Sequence, residues 1–483
     1  MSIPSTLNAS SVSASNLPLD ILWEIFPHCL PESPLKEAQP SLKIAPMQLC
    51  HVSSSWRAAA LSCPSIWLYL YYQLPIIWKN GRPMAWDQET FLRDIEFLKW
   101  WRGNHGVEGP FIRFKYYGRR KTKGKEHPLS KEIRQFLADY ISTAQYLDIS
   151  VLGGHLFLFD ENVYQGDKLY PNLHSFITGY LIYDDYDGTV KAFTIPNLDP
   201  FHVPSTLRRL SIENAHLVGY SWRTPDFAKW SRLSHLSLQS AEMSLSAWYN
   251  LIRAVPNLQW GYFNVYIMSV AVFNPPKFTL PSLSTLAVVH ARSTYTDPLG
   301  KLLMNLNLPV LGDLSVYISV APAEFHGVAA RINGAIKTIP FLKKLTIGFK
   351  FLYDNGTFYA ALAKSDWKDV KLLPSAAPHL EHLLFQFSYK GIGLFYQPSL
   401  SNRLIIWREI LRPSRWLDLE NARNLRRITA IVEASSEDGQ FVESTIRHVL
   451  KQQKYNFVFE IVPPSSLELS PLNKGWKTWG SAL

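Results

Sequence analysis

The sequence predicts an α/β protein, with a short all-α module near its N-terminus and a long, irregular array of strand-bearing repeats behind it. Three observations predict this. Amphipathic helical periodicity marks a proline-punctuated segment between Leu17 and Trp67. A phrase Φ-x-x-Φ-x-Φ, with Φ apolar, then recurs from Ala144 to the copy that starts at Leu425. The 483 residues are about three times the ~150-residue norm for one domain. They are 47% apolar, with 16 Trp, 23 Tyr and 26 Phe, so core material is plentiful and wholesale disorder is excluded. The expected organisation is a Ser-rich leader (1–16), a helical module (17–68), a connecting unit (69–140), the array (141–465) and a tail (466–483).

In the helical module, Asn16 is placed to cap a helix, and Pro18 and Asp20 suit its first turn. Leu17, Ile21 and Ile25 recur every four residues, and Leu22 and Phe26 widen the stripe. A second amphipathic segment follows Pro46, with Leu49, Val52, Trp56 and Ala60 on one face and Pro64 closing it. The ordered elements are Leu17-Pro18, Ile25-Phe26, Leu30-Pro31, Val52-Ser53-Ser54-Ser55-Trp56-Arg57 and Pro64-Ser65-Ile66-Trp67. Over about 50 residues this set resembles the F-box, and its closing Pro-x-x-Trp resembles fungal members.

The resemblance implies docking onto a Skp-family adaptor, and through it onto a cullin–RING ubiquitin ligase. It points to Leu17, Pro18, Leu22, Ile25, Phe26, Leu30, Pro31, Val52 and Trp56 as adaptor-binding residues. Leu17, Pro18, Leu22, Ile25 and Val52 are expected to form the exposed apolar part, suited to helix-in-groove recognition. An apolar patch left bare is a liability, so a partner is expected.

Between module and array, Trp100-Trp101-Arg102-Gly103 and Pro110-Phe111-Ile112-Arg113-Phe114 fit a helix, a turn and a strand, with no flexible linker. The repeat phrase is clearest from Leu207, Leu233, Leu283, Leu311, Leu342 and Leu380, often preceded by Pro-x, and weaker from Ala144, Leu173, Leu258 and Leu425. Starts at 207, 233, 258, 283, 311 and 342 lie 26, 25, 25, 28 and 31 residues apart, and the last intervals lengthen to 38 and 45. Alternation predicts a short strand with leucines inward; the other residues return as helix or turn, and neighbours stack to bury what one unit cannot.

This pattern resembles irregular leucine-rich repeats of the kind found behind F-boxes. Where that family places Asn or Cys, the chain has Ala215, Ala241, Ala291, Ser319 and Lys350, so no side-chain amide ladder is expected. The other reading is an α/β domain with leucine-rich strands.

No catalytic, cofactor or metal constellation is found, so a non-enzymatic receptor is expected. His379-x-x-His382 has no accompanying ligand set. Asp184-Asp185-Tyr186-Asp187-Gly188 reads as a surface loop, because a calcium-loop register would need ligands at Tyr183 and Thr194. Gly153-Gly154-His155 reads as a turn. Cys29, Cys50 and Cys63 fit neither a disulfide framework nor a zinc module and are expected to be buried thiols in a reducing compartment.

No Lys or Arg precedes Lys36, so no secretory or mitochondrial leader is expected; the apolar stretch Ile66–Trp78, broken by Gln73 and Pro75, is too short to span a bilayer. A soluble cytoplasmic or nuclear protein is expected. The formal charge is +10, and the dense basic run Arg119-Arg120-Lys121-Thr122-Lys123-Gly124-Lys125 reads as a solvated loop.

The residue pairs before each second leucine are expected to line an open surface: Arg208-Arg209, Ser234-His235, Gln259-Trp260, Ser284-Thr285, Gly312-Asp313, Lys343-Lys344, Glu381-His382 and Arg426-Arg427. Six bases face two acids, and aromatic side chains lie nearby. The candidate target-binding residues are Arg209, Trp260, Tyr262, Tyr317, Lys344 and Arg427. Such a surface would suit an acidic or phosphorylated protein segment; solvated strand edges are the plainer reading, as is a solvated helix face for Arg403–Arg427. The expected function is target recognition for a ubiquitin ligase. The alternative is a ligase-independent scaffold binding protein or RNA, the RNA version disfavoured by the lack of a dense basic face.

Overall fold

A computed structural model describes residues 17–31, 41–73, 76–79, 82–86, 88–104, 109–117, 131–152, 171–181, 205–213, 230–243, 245–267, 277–290, 303, 305–320, 332–351, 377–388, 424–432 and 458–462. The leader, the basic run at 119–125, the turn at 153–155, the acidic loop at 184–188, most of 403–427 and the tail lie outside them. The chain divides into two compact units: Met1–Val190 with Pro204–Leu207 and Gly480–Leu483, and Lys191–Val203 with Arg208–Trp479.

The first unit opens with helix α1 (Leu19–Ile25). Pro18 is the residue before it, extended at ψ 150°, and its carbonyl accepts from the Leu22 N–H, so the helix starts one residue later than its proline suggests. Asp20 sits in the first turn, where a carboxylate favours the helix dipole. The segment after Pro46 is broken into a 3-10 turn (Met47–His51) and helix α2 (Ser54–Leu61). The break falls at Ser53, which is extended and caps α2 by accepting from the Trp56 N–H at 3.1 Å.

Strand β1 (Tyr69–Gln73) follows, then the antiparallel pair β2 (Ile76–Lys79) and β3 (Arg82–Trp86). Helix α3 (Gln88–Asn104), β4 (Phe111–Tyr117), helix α4 (Lys131–Ser142), β5 (Tyr146–Leu152) and β6 (Ser175–Leu181) complete the unit. Strands β1, β4, β5 and β6 pair in parallel, in that order.

Indole N–H groups tie this unit together. Trp23 donates to the Ala59 carbonyl (3.2 Å), Trp67 to Ala60 (2.8 Å) and Trp101 to Trp67 (2.9 Å). Trp67 and Trp101 are fully buried and meet edge-on, with centroids 4.9 Å apart. Further along, Tyr71, Arg113 and Asp148 align across β1, β4 and β5. The Arg113 guanidinium lies over the Tyr71 ring and its Nε meets Asp148 Oδ2 at 3.0 Å, which compensates the buried carboxylate.

The second unit contains β7 (Arg209–Glu213), β8 (His235–Met243), helix α5 (Leu245–Ala254), β9 (Trp260–Ile267), the short β10 (Phe278–Thr279), β11 (Thr285–His290), the short β12 (Leu306–Asn307), β13 (Asp313–Val320), β14 (Lys344–Phe351), β15 (His382–Ser388), β16 (Arg427–Val432) and β17 (Val458–Val462). All but β10 and β12, which pair with each other, lie side by side in sequence order, every pair parallel. The fold is therefore α/β with long parallel pairing.

The phrase leucines make the core. From Leu207 to Ile428, every described Φ position that carries Leu, Ile or Val is at most 6% exposed. Each such side chain contributes about 1.5–3 kcal/mol when fully buried. The copy at Leu258 is weak because Gly261 occupies the second position, in register with Leu236 and Leu286. The Phe263 ring, packed edge-on against Trp248 at 4.5 Å, fills that space: a Cβ on Gly261 would lie 2.6 Å from it.

A backbone device repeats beside the leucines. The carbonyl of Arg208 accepts both the Ser234 and His235 N–H groups, and Ser234, Gln259, Ser284, Gly312, Lys343 and Glu381 do the same for the next strand in turn. Side chains add ties between neighbouring repeats, each within one compact unit. The amides of Asn257 and Asn424 donate to the Ser231 and Pro378 carbonyls at 2.7 and 2.5 Å, and the Thr206 hydroxyl donates to Leu173 at 2.9 Å. Amide ties absent from the expected position thus exist at another, the residue before the first leucine.

No helix among the described residues is long and apolar enough to cross a membrane. Cys50 and Cys63 are buried, but Cys29 is exposed, because it ends a short 3-10 turn with nothing packed over it among the described residues.

Gly261→Leu should overpack the Phe263–Trp248 contact and lower stability by about 1–3 kcal/mol. Gly103→Ala, in the last turn of α3 where a Cβ meets nothing within 4 Å, should leave stability unchanged or raise it by up to about 1 kcal/mol. Urea unfolding of both variants checks the contrast.

Candidate protein-interaction surfaces

Asp20 and Glu24, one turn apart and both exposed, form a narrow polar line on helix α1, and Leu22 lies opposite it. The buried line is Leu22 and Phe26; the Phe26 ring meets Trp56 at 5.4 Å. Both were expected to contact a partner, Leu22 as an exposed residue; they are interior instead, because they face α2. Pro18 is exposed, Leu17, Ile25, Leu30, Pro31 and Trp56 are half-buried, and Val52 is 54% exposed.

The expected adaptor-binding set leaves out the exposed Leu19 (46%), Ile21 (43%, a residue of the periodic stripe) and Trp23, and Leu61 on α2. The sequence signal that could have found them is how narrow the polar line of Asp20 and Glu24 is: it leaves more apolar residues on α1 than one buried stripe can hold. The break at Ser53 accounts for Val52, which leaves the line of Leu49 and Ala60, both buried.

In the second unit, register aligns Arg209, His235, Trp260, Thr285, Asp313, Lys344, His382 and Arg427 in one row across eight strands. Four predicted target-binding residues, Arg209, Trp260, Lys344 and Arg427, share it. The His235 and Trp260 rings stack at 6.3 Å, Lys344 Nζ meets Asp313 Oδ2 at 2.9 Å, and His382 Nε2 lies 3.0 Å from the Thr429 hydroxyl. Burial, then the neighbouring Arg209 charge, lowers the His235 pKa to about 4. Burial also pulls the Arg209 guanidinium below its usual value.

The pairs do not form one open face. Residues i and i+1 of an extended chain point apart, so Arg208, Lys343, Glu381 and Arg426 stay at the mouths of the strands while the second member of each pair enters the row. The expected charge divides between the two places, and Asp313 offsets Lys344.

Two residues further along each strand the next row, Ser211, Ser237, Tyr262, Ala287, Ser315, Thr346, Leu384 and Thr429, is buried. Tyr262 is therefore an interior ring stacked near Trp260, not a docking residue, since it lies between the side chains of rows on either side. Tyr317 lies one row beyond and is half-buried, its ring against Gly348, where a Cβ would overlap it.

His379 is exposed in the turn before its strand and stacks on Phe341, while His382 enters the row, so the two rings are apart. Among the described residues no group of three or more His, Cys, Asp or Glu side chains is arranged to hold a metal ion.

No protein-family model matches the chain, and no curated protein matches it. Among solved structures, a Bacteroides fragilis protein determined as a structural-genomics target is similar at 14% identity, with a TM-score of 0.30. The match covers 60% of this chain and 66% of that one, just under two thirds. A likeness of that size carries no argument about function.

The His235 environment has a pH consequence. Between about pH 4 and pH 6.5 the unfolded chain binds a proton at His235 that the folded chain excludes, so stability rises with pH across that window and is fully present above it. Acidification from pH 7 to 4 should remove up to about 2 kcal/mol through this group, once solvent screening is allowed for. His235→Gln should lose that much less, read from thermal or urea unfolding at both pH values.

Proposed function

We propose that the chain is the target-recognition subunit of a cullin–RING ubiquitin ligase. In this reading α1, α2 and the turns around them are an F-box that docks on a Skp-family adaptor, and the parallel array is an irregular leucine-rich-repeat solenoid that holds a protein target. The observation that carries the reading is the set of large apolar side chains left exposed on and beside the two short helices. Leu19, Ile21 and Trp23 on α1, Leu61 on α2 and Val52 just before α2 are exposed, although Leu22, Phe26, Ala59 and Ala60 are buried. A folded helix pair has no internal need for those exposed side chains, and they suit helix-in-groove recognition by apolar anchors. The ordered F-box dipeptides lie in the same segment.

The chain's contribution is proximity. Binding adaptor and target together raises the effective concentration of target lysines near a ubiquitin-charged enzyme, and the chain itself makes no bond.

Co-expression with a Skp-family adaptor tests the reading. The wild-type chain should co-purify with it. Ile21→Asp combined with Val52→Asp should abolish co-purification while leaving the thermal midpoint unchanged, since both side chains are exposed. Retained association in the double variant, or none in the wild type, removes the ligase assignment.

A further inference from the structure

Each unit reaches its first leucine through a turn, and the residue just before that leucine stands at the rim of the strand entries. In several units it is polar: Thr206, Arg232, Asn257, Ser282 and Asn424. Thr206, Asn257 and Asn424 use their side chains to tie the unit to its predecessor. In three consecutive units the residue is instead Val310, Phe341 and His379. Val310 is 47% exposed and Phe341 56%, and the exposed His379 ring stacks on Phe341 at 5.8 Å and 24°. They precede by three positions Asp313, Lys344 and His382, which are direct partners across β13, β14 and β15. The three residues therefore follow one another along one rim, at the entries of neighbouring strands.

Charge borders this apolar strip. Lys343 and Arg426 at the strand mouths are exposed, as is Lys337 in the turn that leads to Phe341. Glu381 is the acid among them; Asp313 is already held by Lys344 at 2.9 Å. At the strand mouth beside Val310 stands Gly312, where a Cβ would meet nothing closer than the Ser284 carbonyl at 3.9 Å, so the rim has a notch there.

We propose that this rim docks an acidic protein segment carrying an aliphatic or aromatic anchor. The anchor packs on Val310 and Phe341, and the carboxylates of the segment meet Lys337 and Lys343. No fold requirement accounts for apolar side chains at positions where other units place tying amides and hydroxyls. The charge pattern selects a peptide over RNA: Glu381 stands between Lys343 and Arg426, in the path of a continuous phosphate backbone. The inference rests on the target-receptor reading, for which it names where the target sits and its chemistry.

The test uses the full-length chain without adaptor, so its failure and a failure of adaptor co-purification are separate results. A phage-displayed random peptide library is selected on the wild-type protein, and the consensus peptide is labelled for fluorescence anisotropy. Selected sequences should combine Asp or Glu with a large apolar residue. Their affinity should fall about tenfold or more in Phe341→Ala and, independently, in Lys343→Glu, both with unchanged thermal unfolding. Binders that are indifferent to both substitutions, or a library that yields no binder, overturn the proposal. So does tighter binding of a labelled oligouridylate RNA that is lost in Lys343→Glu and falls steeply with salt.

Discussion

At the mouths of seven strands between β7 and β15 one carbonyl oxygen receives two N–H groups from the following repeat, and the order of the array rests on that arrangement. Seven such acceptors run from Arg208 to Glu381. The intervals between units grow to 38 and 45 residues at the C-terminal end. Yet the pairs Glu381/His382 and Arg426/Arg427 enter on the Lys343 and Glu381 carbonyls just as Ser234/His235 enter on Arg208. Register is set at the entry, so the length of the return between strands is free to vary. Burial of the leucines then follows, because two fixed N–H groups determine which residues alternate inward.

The inward positions were legible in the sequence because burial is encoded in residue type at a fixed spacing, and Leu-x-x-Leu-x-Leu states both. Gly261 shows the limit of that code. Its position is conserved in geometry but not in side chain, because Phe263 supplies the missing volume from two residues away. The outward positions were less legible. Pairs such as Arg208-Arg209 read as one basic surface in the string, but extended geometry separates their side chains. The burial of Ser211, Ser237 and Thr346 depends on what flanks them in space, which spacing does not encode. The inter-unit amides escaped for a similar reason. Asn257 and Asn424 perform a linking role, but before the first leucine rather than after the last.

In the N-terminal helices the difficulty was different. A seven-residue helix of composition Leu-Asp-Ile-Leu-Trp-Glu-Ile has only the narrow polar line of Asp20 and Glu24, which does not settle which of the flanking apolar residues are buried. Its orientation is fixed by particular contacts: the Trp23 indole on the Ala59 carbonyl and the Phe26 ring against Trp56. Indoles recur in this role because one side chain supplies both a large apolar surface and a directed donor. Trp67, in the 3-10 turn before β1, and Trp101 use both, and in doing so tie α2 through that turn to α3. Once Leu22 and Phe26 are committed inward, the remaining apolar residues of α1 have no place left in the core.

Both open apolar surfaces therefore arise where the packing leaves a residue unconstrained. Substituting an inward leucine removes apolar contact from its own unit and its neighbours, so variation there is costly. The residue before the first leucine has no such obligation once the entry carbonyl holds the backbone: it is Asn257 before β9 and Phe341 before β14, and both strands enter on the same two-donor carbonyl arrangement. An array built in this way can change what it displays at its rim while keeping the same core. Under the proposed reading as a target receptor, that freedom would separate recognition from folding: the leucines and entry carbonyls hold the strands, and residues such as Val310, Phe341 and Lys343 would be left to specify a partner.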